Sequence, residues 1–201
     1  MSLSIVIPVY RLKGREEALH DYMKAIEAEM SQPIEWVLVQ DGLDAAIDEF
    51  EQRYAVNFAE LRILKLIHRS GQYTATALGL SQARGTWMLS LDDDARFPVS
   101  MVGRFVRMAV ASGAELTYAH FAADSRGQAY RWSVRLLKWA LAIGYPLSWE
   151  LSSMRMLKKG IWTFSNRRVS YLDGDLMDAA AKPKVVEFQE SLSESKRSGY
   201  R

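Results

Sequence analysis

The chain has 201 residues, of which 49% are apolar and 25% are charged, and its formal net charge is +2. This is the composition of an ordinary globular protein, and it excludes a largely disordered chain. The charge is too small to predict nucleic-acid binding, and the absence of cysteine excludes disulfides and thiolate catalysis. We expect a cytoplasmic protein, because no signal peptide is evident and no apolar run approaches the roughly 18 residues of a membrane-spanning helix.

The first half of the chain alternates between short apolar runs and stretches with helical spacing. Strands are predicted at 4–9, 35–39, 61–67 and 87–91, and helices at 15–30, 44–54 and 73–84. Gly85 is expected to end the third helix. Four strands that alternate with three helices predict an α/β fold, with a mostly parallel, twisted sheet and helices on both of its faces.

The second half is less regular, and one of its segments permits two interpretations. A helix is predicted at 99–112, a strand at 114–119 and a polar loop at 120–128. In the segment 131–143, tryptophan and leucine share one helical face while arginine and lysine lie on the adjacent stripe. That pattern is typical of an interfacial membrane helix, and equally of an amphipathic helix packed on the sheet.

Three consecutive carboxylates, Asp92, Asp93 and Asp94, directly follow the fourth predicted strand. Adjacent carboxylates repel one another, and a hard divalent cation that binds oxygen ligands would offset the repulsion. In open α/β sheets, ligands bind beyond the carboxyl ends of the strands, so this triplet is the first candidate for an active site. For three acids considered in isolation, a solvated loop or a helix N-terminus is the alternative.

Four motifs occur in order along the first hundred residues. One strand ends in Pro8–Tyr10 and the next in Asp41–Gly42, Gly71–Gln72 precedes a helix of small residues, and Gly85 precedes the strand that carries the triplet. In this order and spacing they resemble the motifs of the family 2 glycosyltransferases, although any one of them alone would be weak. The resemblance covers about residues 2–98 and implies the GT-A nucleotide-sugar-binding fold.

The resemblance implies roles for side chains at each motif. The expected nucleotide-binding residues are Pro8, Tyr10, Asp41, Gly71, Gln72 and Asp92. Asp92 and Asp94 are the expected ligands of Mg²⁺ or Mn²⁺, with Asp93 as a spacer, because such a cation neutralises a leaving diphosphate. Asp94 is accordingly also expected to be catalytic. The glycine at the helix start would permit close approach of the nucleotide to the backbone.

Three stretches of the second half resemble one particular group within this family. The segments 151–159, 171–176 and 196–200 are similar to segments of the polyprenyl-phosphate glycosyltransferases, which include dolichol-phosphate mannose synthase and the undecaprenyl-phosphate sugar transferases. The resemblance implies a polyprenyl phosphate acceptor and a location at the cytoplasmic face of the membrane. In many relatives the last segment precedes transmembrane helices, so we expect 190–201 to be a flexible basic tail that leads to such helices in a longer protein.

Several residues of the second half are candidates for holding the acceptor. Arg131, Arg135 and Arg197 are candidates for phosphate binding, because a guanidinium group matches phosphate geometry. Arg155 is a catalytic candidate on the same ground, and each arginine is equally consistent with a surface or salt-bridge residue. Glu150 is the candidate base or acceptor-positioning group.

The chain departs from the family motifs at several positions. Gln40 replaces the aspartate that the family carries before Asp41, and Trp149 occupies the position of an expected carboxylate. Arg96 stands where a glutamine often assists the metal, and a cation there would weaken metal binding or substitute for part of its charge. These departures bear on donor identity and metal dependence rather than on the fold.

Three functions follow from these patterns. The first is inverting transfer of a sugar from a UDP- or GDP-sugar to a polyprenyl phosphate at the membrane surface. The second uses a glycan acceptor in cell-surface polysaccharide assembly, and the third is a non-catalytic nucleotide-binding domain. We expect one catalytic domain over 1–189, with a nucleotide-binding half at 1–98 and an acceptor half at 99–189, and no nucleic-acid partner.

Overall fold

The computed structural model of the chain describes residues 2–121, 151–161 and 184–188. The strands are β1 (Leu3–Val9), β2 (Ile34–Asp41), β3 (Glu60–Leu66), β4 (Trp87–Ser90), β5 (Leu116–Phe121), β6 (Leu151–Lys158) and β7 (Lys184–Phe188). The helices are α1 (Glu16–Met30), α2 (Ala45–Tyr54), α3 (Gln72–Gln82) and α4 (Val99–Ser112), with a short 3₁₀ turn at Ala55–Asn57.

The described strands form one seven-stranded sheet in the order β3-β2-β1-β4-β6-β5-β7. β1 pairs in parallel with β2 and with β4, β2 pairs in parallel with β3, and β5 pairs in parallel with β7. β6 runs antiparallel between β4 and β5. The mostly parallel sheet that the sequence predicts is confirmed, with β6 as the antiparallel exception among the described strands.

β1 and β2 are buried along their whole lengths because helices cover both faces of the sheet. On one face, Leu3, Ile5 and Ile7 belong to a hydrophobic cluster that includes side chains of α1, α2 and α4. On the opposite face, Val6 and Val37 pack with small residues of α3. Alternate residues of a strand point to opposite faces, so a strand covered on both faces is apolar throughout.

Two predicted boundaries are wrong in ways that the structure explains. β5 continues through His120 and Phe121, which pair with β7, so the predicted loop at 120–128 begins inside a strand. α3 ends at Gln82, and Ala83 after it is extended, so Gly85 does not end the helix. Gly85 instead lies against β1, where an added Cβ would be 2.7 Å from the backbone nitrogen of Ser4.

β6 is a strand that the sequence did not predict. The segment Leu151–Lys158 contains no valine, isoleucine or threonine, the β-branched residues that mark strands. Its register nevertheless pairs Leu157 with Met88 of β4 and with Leu116 of β5. Strand formation here depends on the two neighbouring strands, and local propensity alone does not indicate it.

Candidate active site

The carboxyl ends of β1 and β2, the residues after β4 and the start of α3 border a cleft of about 360 Å³. The residues that line the cleft are Pro8, Val9, Tyr10, Asp41, Arg69, Gly71, Gln72, Asp92, Asp93, Asp94 and Arg96. Every residue that the sequence predicts to bind the nucleotide or the metal is among them. Parallel strands bring their carboxyl ends to one edge of a sheet, which is why motifs from distant parts of the chain meet there.

Asp41 is 4% exposed at the end of β2, and its carboxylate holds the loop that precedes α3. Asp41 Oδ1 accepts a hydrogen bond from the backbone N–H of Ser70 at 2.5 Å, and Oδ2 accepts one from Gly71 at 2.9 Å. A hydrogen bond from a nucleotide to Asp41 would have to use the remaining lone pairs of these oxygens. Asp41 therefore positions the start of α3 in addition to lining the cleft.

Gly71 precedes α3 with a φ of +92°, a conformation that residues with a side chain rarely adopt. A Cβ built at Gly71 would have no heavy atom within 4 Å, so the backbone conformation, and not a lack of space, requires glycine. The side chain of Gln72 then donates from Nε2 to Asp92 Oδ1 at 2.7 Å. The start of α3, where backbone N–H groups favour anions, is thereby joined to the acidic triplet.

Arg96 contacts both carboxylates that the sequence predicts as metal ligands. Its Nη2 forms an ion pair with Asp92 Oδ2, and its Nε lies 3.4 Å from Asp94 Oδ2. Asp92 is 9% exposed, whereas the Arg96 side chain, which also lines the cleft, is 39% exposed. The guanidinium of Arg96 is therefore a counterion shared by Asp92 and Asp94.

Asp93 has a partner from another part of the chain. Arg15 Nη2 lies 2.9 Å from Asp93 Oδ2, and Arg15 Nη1 donates to the Asp93 carbonyl at 3.2 Å. Because Arg15 immediately precedes α1, this pair joins the triplet to the loop after β1. Asp93 also lines the cleft, so the structure gives it contacts beyond those of a spacer, and Arg15 is a supporting residue that the sequence did not predict.

The surroundings of Asp94 disfavour its charged form. Burial raises the pKa of Asp94 and the neighbouring Asp93 carboxylate raises it further, while a hydrogen bond from the backbone N–H of Arg96 opposes the increase. The pKa of Asp94 consequently lies above the ordinary aspartate value. A cation close to Asp94 would favour the ionised carboxylate and lower this pKa.

Arg69 is a cleft residue that the sequence did not predict. Its guanidinium carbon lies 4.0 Å from the centroid of the Tyr10 ring. A guanidinium stacked on an aromatic face is a favourable cation–π arrangement, and it orients the tyrosine beyond the end of β1. The only signal in the sequence is a basic residue shortly before Gly71, and isolated basic residues are too common to indicate a site.

Among the predicted site residues that the structure describes, Arg155 is the one that does not line the cleft. It is 3% exposed within β6, where it pairs with Ser90 of β4 and Tyr118 of β5. Its Nε donates to Ser90 Oγ at 3.0 Å. In this placement the Arg155 guanidinium contacts Ser90 at the end of β4, and its expected contact with a phosphate stays a prediction.

Several other predicted site residues lie outside the described residues. They are Arg131, Arg135, Glu150 and Arg197, together with the segments 131–143, 171–176 and 190–201. Among the helices that the structure describes, none combines the length and the apolar character needed to cross a bilayer.

The chemistry of the cleft fits a divalent cation at Asp92 and Asp94. Carboxylate oxygens are the ligands that Mg²⁺ and Mn²⁺ prefer, and four aspartates line the cleft against two arginines, with Arg15 behind Asp93. The described residues contain no group of three acidic, histidine or cysteine side chains placed to hold a metal. A cation here would therefore take further ligands from water and substrate phosphates, as Mg²⁺ sites commonly do.

The mixed sheet, the helices on both faces and the acidic cleft at the strand ends define a GT-A nucleotide-sugar-binding fold. Residues 4–173 match the glycosyl transferase family 2 profile. The chain belongs to glycosyl transferase family 2.

Curated relatives indicate which members of family 2 the chain is similar to. An undecaprenyl-phosphate 4-deoxy-4-formamido-L-arabinose transferase of Pseudomonas aeruginosa (strain LESB58) is 31% identical over 144 residues, which is 69% of this chain and 41% of the relative. The transferase of the same name from Serratia proteamaculans (strain 568) is 31% identical over 108 residues, 53% of this chain and 33% of the relative. The chain thus spans about two fifths or less of their length. The resemblance to polyprenyl-phosphate sugar transferases is confirmed.

Solved structures support the fold. Residues 1–349 of Staphylococcus aureus TarS superpose with a TM-score of 0.59 at 17% identity, over 92% of this chain and 58% of that chain. TarS 1–349 in complex with UDP-GlcNAc superposes with a TM-score of 0.57 at 14% identity, over 95% of this chain and 60% of that chain. The mannosyltransferase PcManGT from Pyrobaculum calidifontis was solved in complex with GDP-Man and Mn²⁺. It superposes with a TM-score of 0.53 at 16% identity, over 79% of this chain and 45% of that chain.

Proposed function

We propose that the protein transfers a sugar from a nucleoside diphosphate sugar to a polyprenyl phosphate, with inversion at the anomeric carbon. Binding of a nucleoside diphosphate sugar is supported by the cleft, where the start of α3 lies beside the carboxylates of Asp92 and Asp94. Transfer to a polyprenyl phosphate is supported by the name that the curated relatives share, which states an undecaprenyl-phosphate acceptor.

In this proposal the donor is a UDP- or GDP-sugar, because the neighbours TarS and PcManGT hold donors of these two kinds. The base would lie near Pro8 and Tyr10, whose ring is held by Arg69. The diphosphate would face the N-terminal end of α3, where Gly71 keeps the backbone accessible and the helix dipole favours anions. Arg69 and Arg96 both line the cleft and would supply positive charge to the bound diphosphate.

The proposal includes Mg²⁺ or Mn²⁺ at Asp92 and Asp94, which the Mn²⁺ of PcManGT supports by analogy. When bound, the cation would neutralise the diphosphate and polarise its oxygens. The protein's own residues prepare the site. Gln72 orients Asp92 by its 2.7 Å hydrogen bond, and Arg15 fixes the middle of the triplet through Asp93.

The chemistry of transfer is a displacement at the anomeric carbon. An oxygen of the acceptor phosphate forms the new bond to that carbon, and the bond from the carbon to the diphosphate breaks, so the nucleoside diphosphate leaves with the electron pair. A phosphate acceptor is already anionic, so charge positioning matters more than a strong base. Glu150 remains the proposed positioning group, and Arg131, Arg135 and Arg197 remain the proposed contacts to the lipid phosphate.

A transfer assay tests the proposal and gives the first prediction. Protein with a UDP- or GDP-sugar, Mn²⁺ and undecaprenyl phosphate should form a lipid-linked sugar, detected by chromatography of the organic phase. The Asp94→Asn variant should form it at least about a hundredfold more slowly while unfolding at the same temperature, because it loses a carboxylate ligand of the cation that neutralises the diphosphate.

The control is Asp48→Asn, which removes an equally charged but exposed carboxylate of α2 and should leave the rate unchanged. Full activity of Asp94→Asn would remove the metal assignment. A sugar found on a glycan acceptor, with none on the lipid, would favour polysaccharide assembly, and no product with any common donor would contradict the proposed function.

A further inference from the structure

We propose that the Arg96 guanidinium and a divalent cation are alternative counterions of Asp92 and Asp94, so that Arg96 must withdraw before the cation binds. The inference deepens the proposed function, since it concerns the metal proposed for that cleft. Arg96 then offsets part of the negative charge of Asp92 and Asp94 while no donor is present. Its displacement then couples metal binding to a rearrangement of the Arg96 side chain in the cleft.

The contacts of Arg96 carry this inference. One guanidinium nitrogen pairs with Asp92 Oδ2 and another lies 3.4 Å from Asp94 Oδ2, so both predicted ligands face the same cation. The turn brings the side chain back onto the triplet. Ala95 has a φ of +52°, and the backbone N–H of Arg96 donates to Asp94 Oδ1 at 3.3 Å.

Competition follows from geometry and charge. A carboxylate oxygen that faces a guanidinium cannot turn the same lone pairs toward a metal ion, and two cations at ion-pair distance repel each other. The positive charge of Arg96 alone leaves the cleft acidic, because four aspartates line it. An incoming diphosphate would therefore still meet excess negative charge, so Arg96 does not make a further cation superfluous.

Arg96 is also the member of this cluster best placed to move. Its side chain is 39% exposed, compared with 10% for Asp92 and 26% for Arg15. Asp92 is additionally held by Gln72, and Asp93 is held by Arg15. Withdrawal of Arg96 would thus uncover Asp92 and Asp94 while the contacts of Gln72 with Asp92 and of Arg15 with Asp93 stay in place.

Titration of Mn²⁺ against the nucleotide-free protein, followed by electron paramagnetic resonance of the free ion, tests the competition. Arg96→Gln should bind Mn²⁺ at least about tenfold more tightly than the unmodified chain, because both the competitor and its repulsion are gone. Arg96→Met serves as a second neutral variant in case the first does not fold, and thermal unfolding checks each.

The matched control is Arg69→Gln, which removes the same charge from the same cleft but from a side chain stacked on Tyr10. It should raise Mn²⁺ affinity several-fold less than Arg96→Gln does. Equal affinity of the unmodified chain and Arg96→Gln, equal gains in both variants, or no Mn²⁺ binding in any of them would overturn the inference. A failed lipid-transfer assay with the tenfold gain intact would reject the proposed function and leave the competition standing.

Discussion

Glu35 is a buried carboxylate at the sheet edge opposite the cleft, where β1 and β2 begin. Its side chain is 5% exposed, and Oε2 accepts hydrogen bonds from the Ser4 hydroxyl and from the backbone N–H of Arg84. Arg62 of β3 lies 3.1 Å from Oε1. A single side chain thus joins three strands and the segment before β4, and it leaves no carboxylate oxygen without a donor.

The pKa of Glu35 makes its contribution to stability dependent on pH. Burial acts to raise the pKa, but the hydrogen bonds from Ser4, Arg84 and Arg62 outweigh it, so the pKa lies below the ordinary glutamate value. A carboxyl whose pKa is lowered on folding stabilises the protein above its unfolded pKa, and this contribution is lost as the pH falls through the folded value.

We predict that Glu35→Gln lowers the free energy of unfolding by about 1–3 kcal/mol at neutral pH, because an amide cannot accept all of these hydrogen bonds. The difference from the unmodified chain should shrink as the pH falls below about 4.5, measured by urea denaturation at a series of pH values. Glu60→Gln, which removes an exposed partner of Arg84, is the control and should cost less than about 1 kcal/mol. A difference in unfolding free energy that does not change with pH would contradict the lowered pKa of Glu35.

At the scale of the secondary-structure element, α3 connects the core to the cleft. Its small residues let it lie close against β1 and β2, while its first residue, Gln72, holds Asp92. An added Cβ at Gly79 would lie 2.3 Å from Val6 Cγ1 and 2.8 Å from Val39 Cγ2. The small-residue pattern therefore sets the distance between helix and sheet, and with it the position of the cleft wall.

We predict that Gly79→Ala destabilises the protein by about 1–3 kcal/mol, although alanine favours helices, because the new methyl group overlaps two stiff valine side chains. Urea denaturation of the variant measures the loss. Ser81→Ala on the exposed side of the same helix is the control and should change the unfolding free energy by less than about 0.5 kcal/mol. A more stable Gly79→Ala would show that α3 can move away from the sheet at little cost.

For the molecule as a whole, a net charge of +2 gives little general attraction to a membrane that would carry the proposed lipid acceptor. The described helices include none able to cross a bilayer, and the segment 131–143 lies outside the described residues. Its arginines remain a predicted contact with anionic lipid. The alternative, a helix packed on the sheet, makes no such contact.

We predict that the whole chain floats with anionic vesicles at low salt and dissociates at high salt, because the attraction is electrostatic. The double variant Arg131→Gln/Arg135→Gln should lower the partition coefficient by more than about tenfold, at about 1 kcal/mol per arginine. The control is Arg104→Gln/Arg107→Gln, which removes the same charge from α4. Equal binding of the two double variants would favour the packed-helix interpretation.

The sequence alone predicted the residues of the cleft well because each follows a strand or starts a helix. Pro8, Asp41 and Asp92 all stand at or just beyond strand ends, and parallel strands bring such ends together whatever lies between them. The apolar runs of β1 and β2 and the helix at Val99–Ser112 were predicted for a similar reason, since their patterns are local. The family resemblance rested on these same local motifs.

Only the tertiary structure decided which side chains partner across the chain. Gln40, a departure from the family motif, donates to the carbonyl of Asp44 at the start of α2, and Arg155 lies inside a strand without β-branched residues. The pairs of Arg15 with Asp93 and of Arg96 with Asp92 and Asp94 likewise depend on turns and on packing between distant segments. Ion pairs leave no periodic trace in a sequence, because their energy depends on distances that only the folded chain fixes.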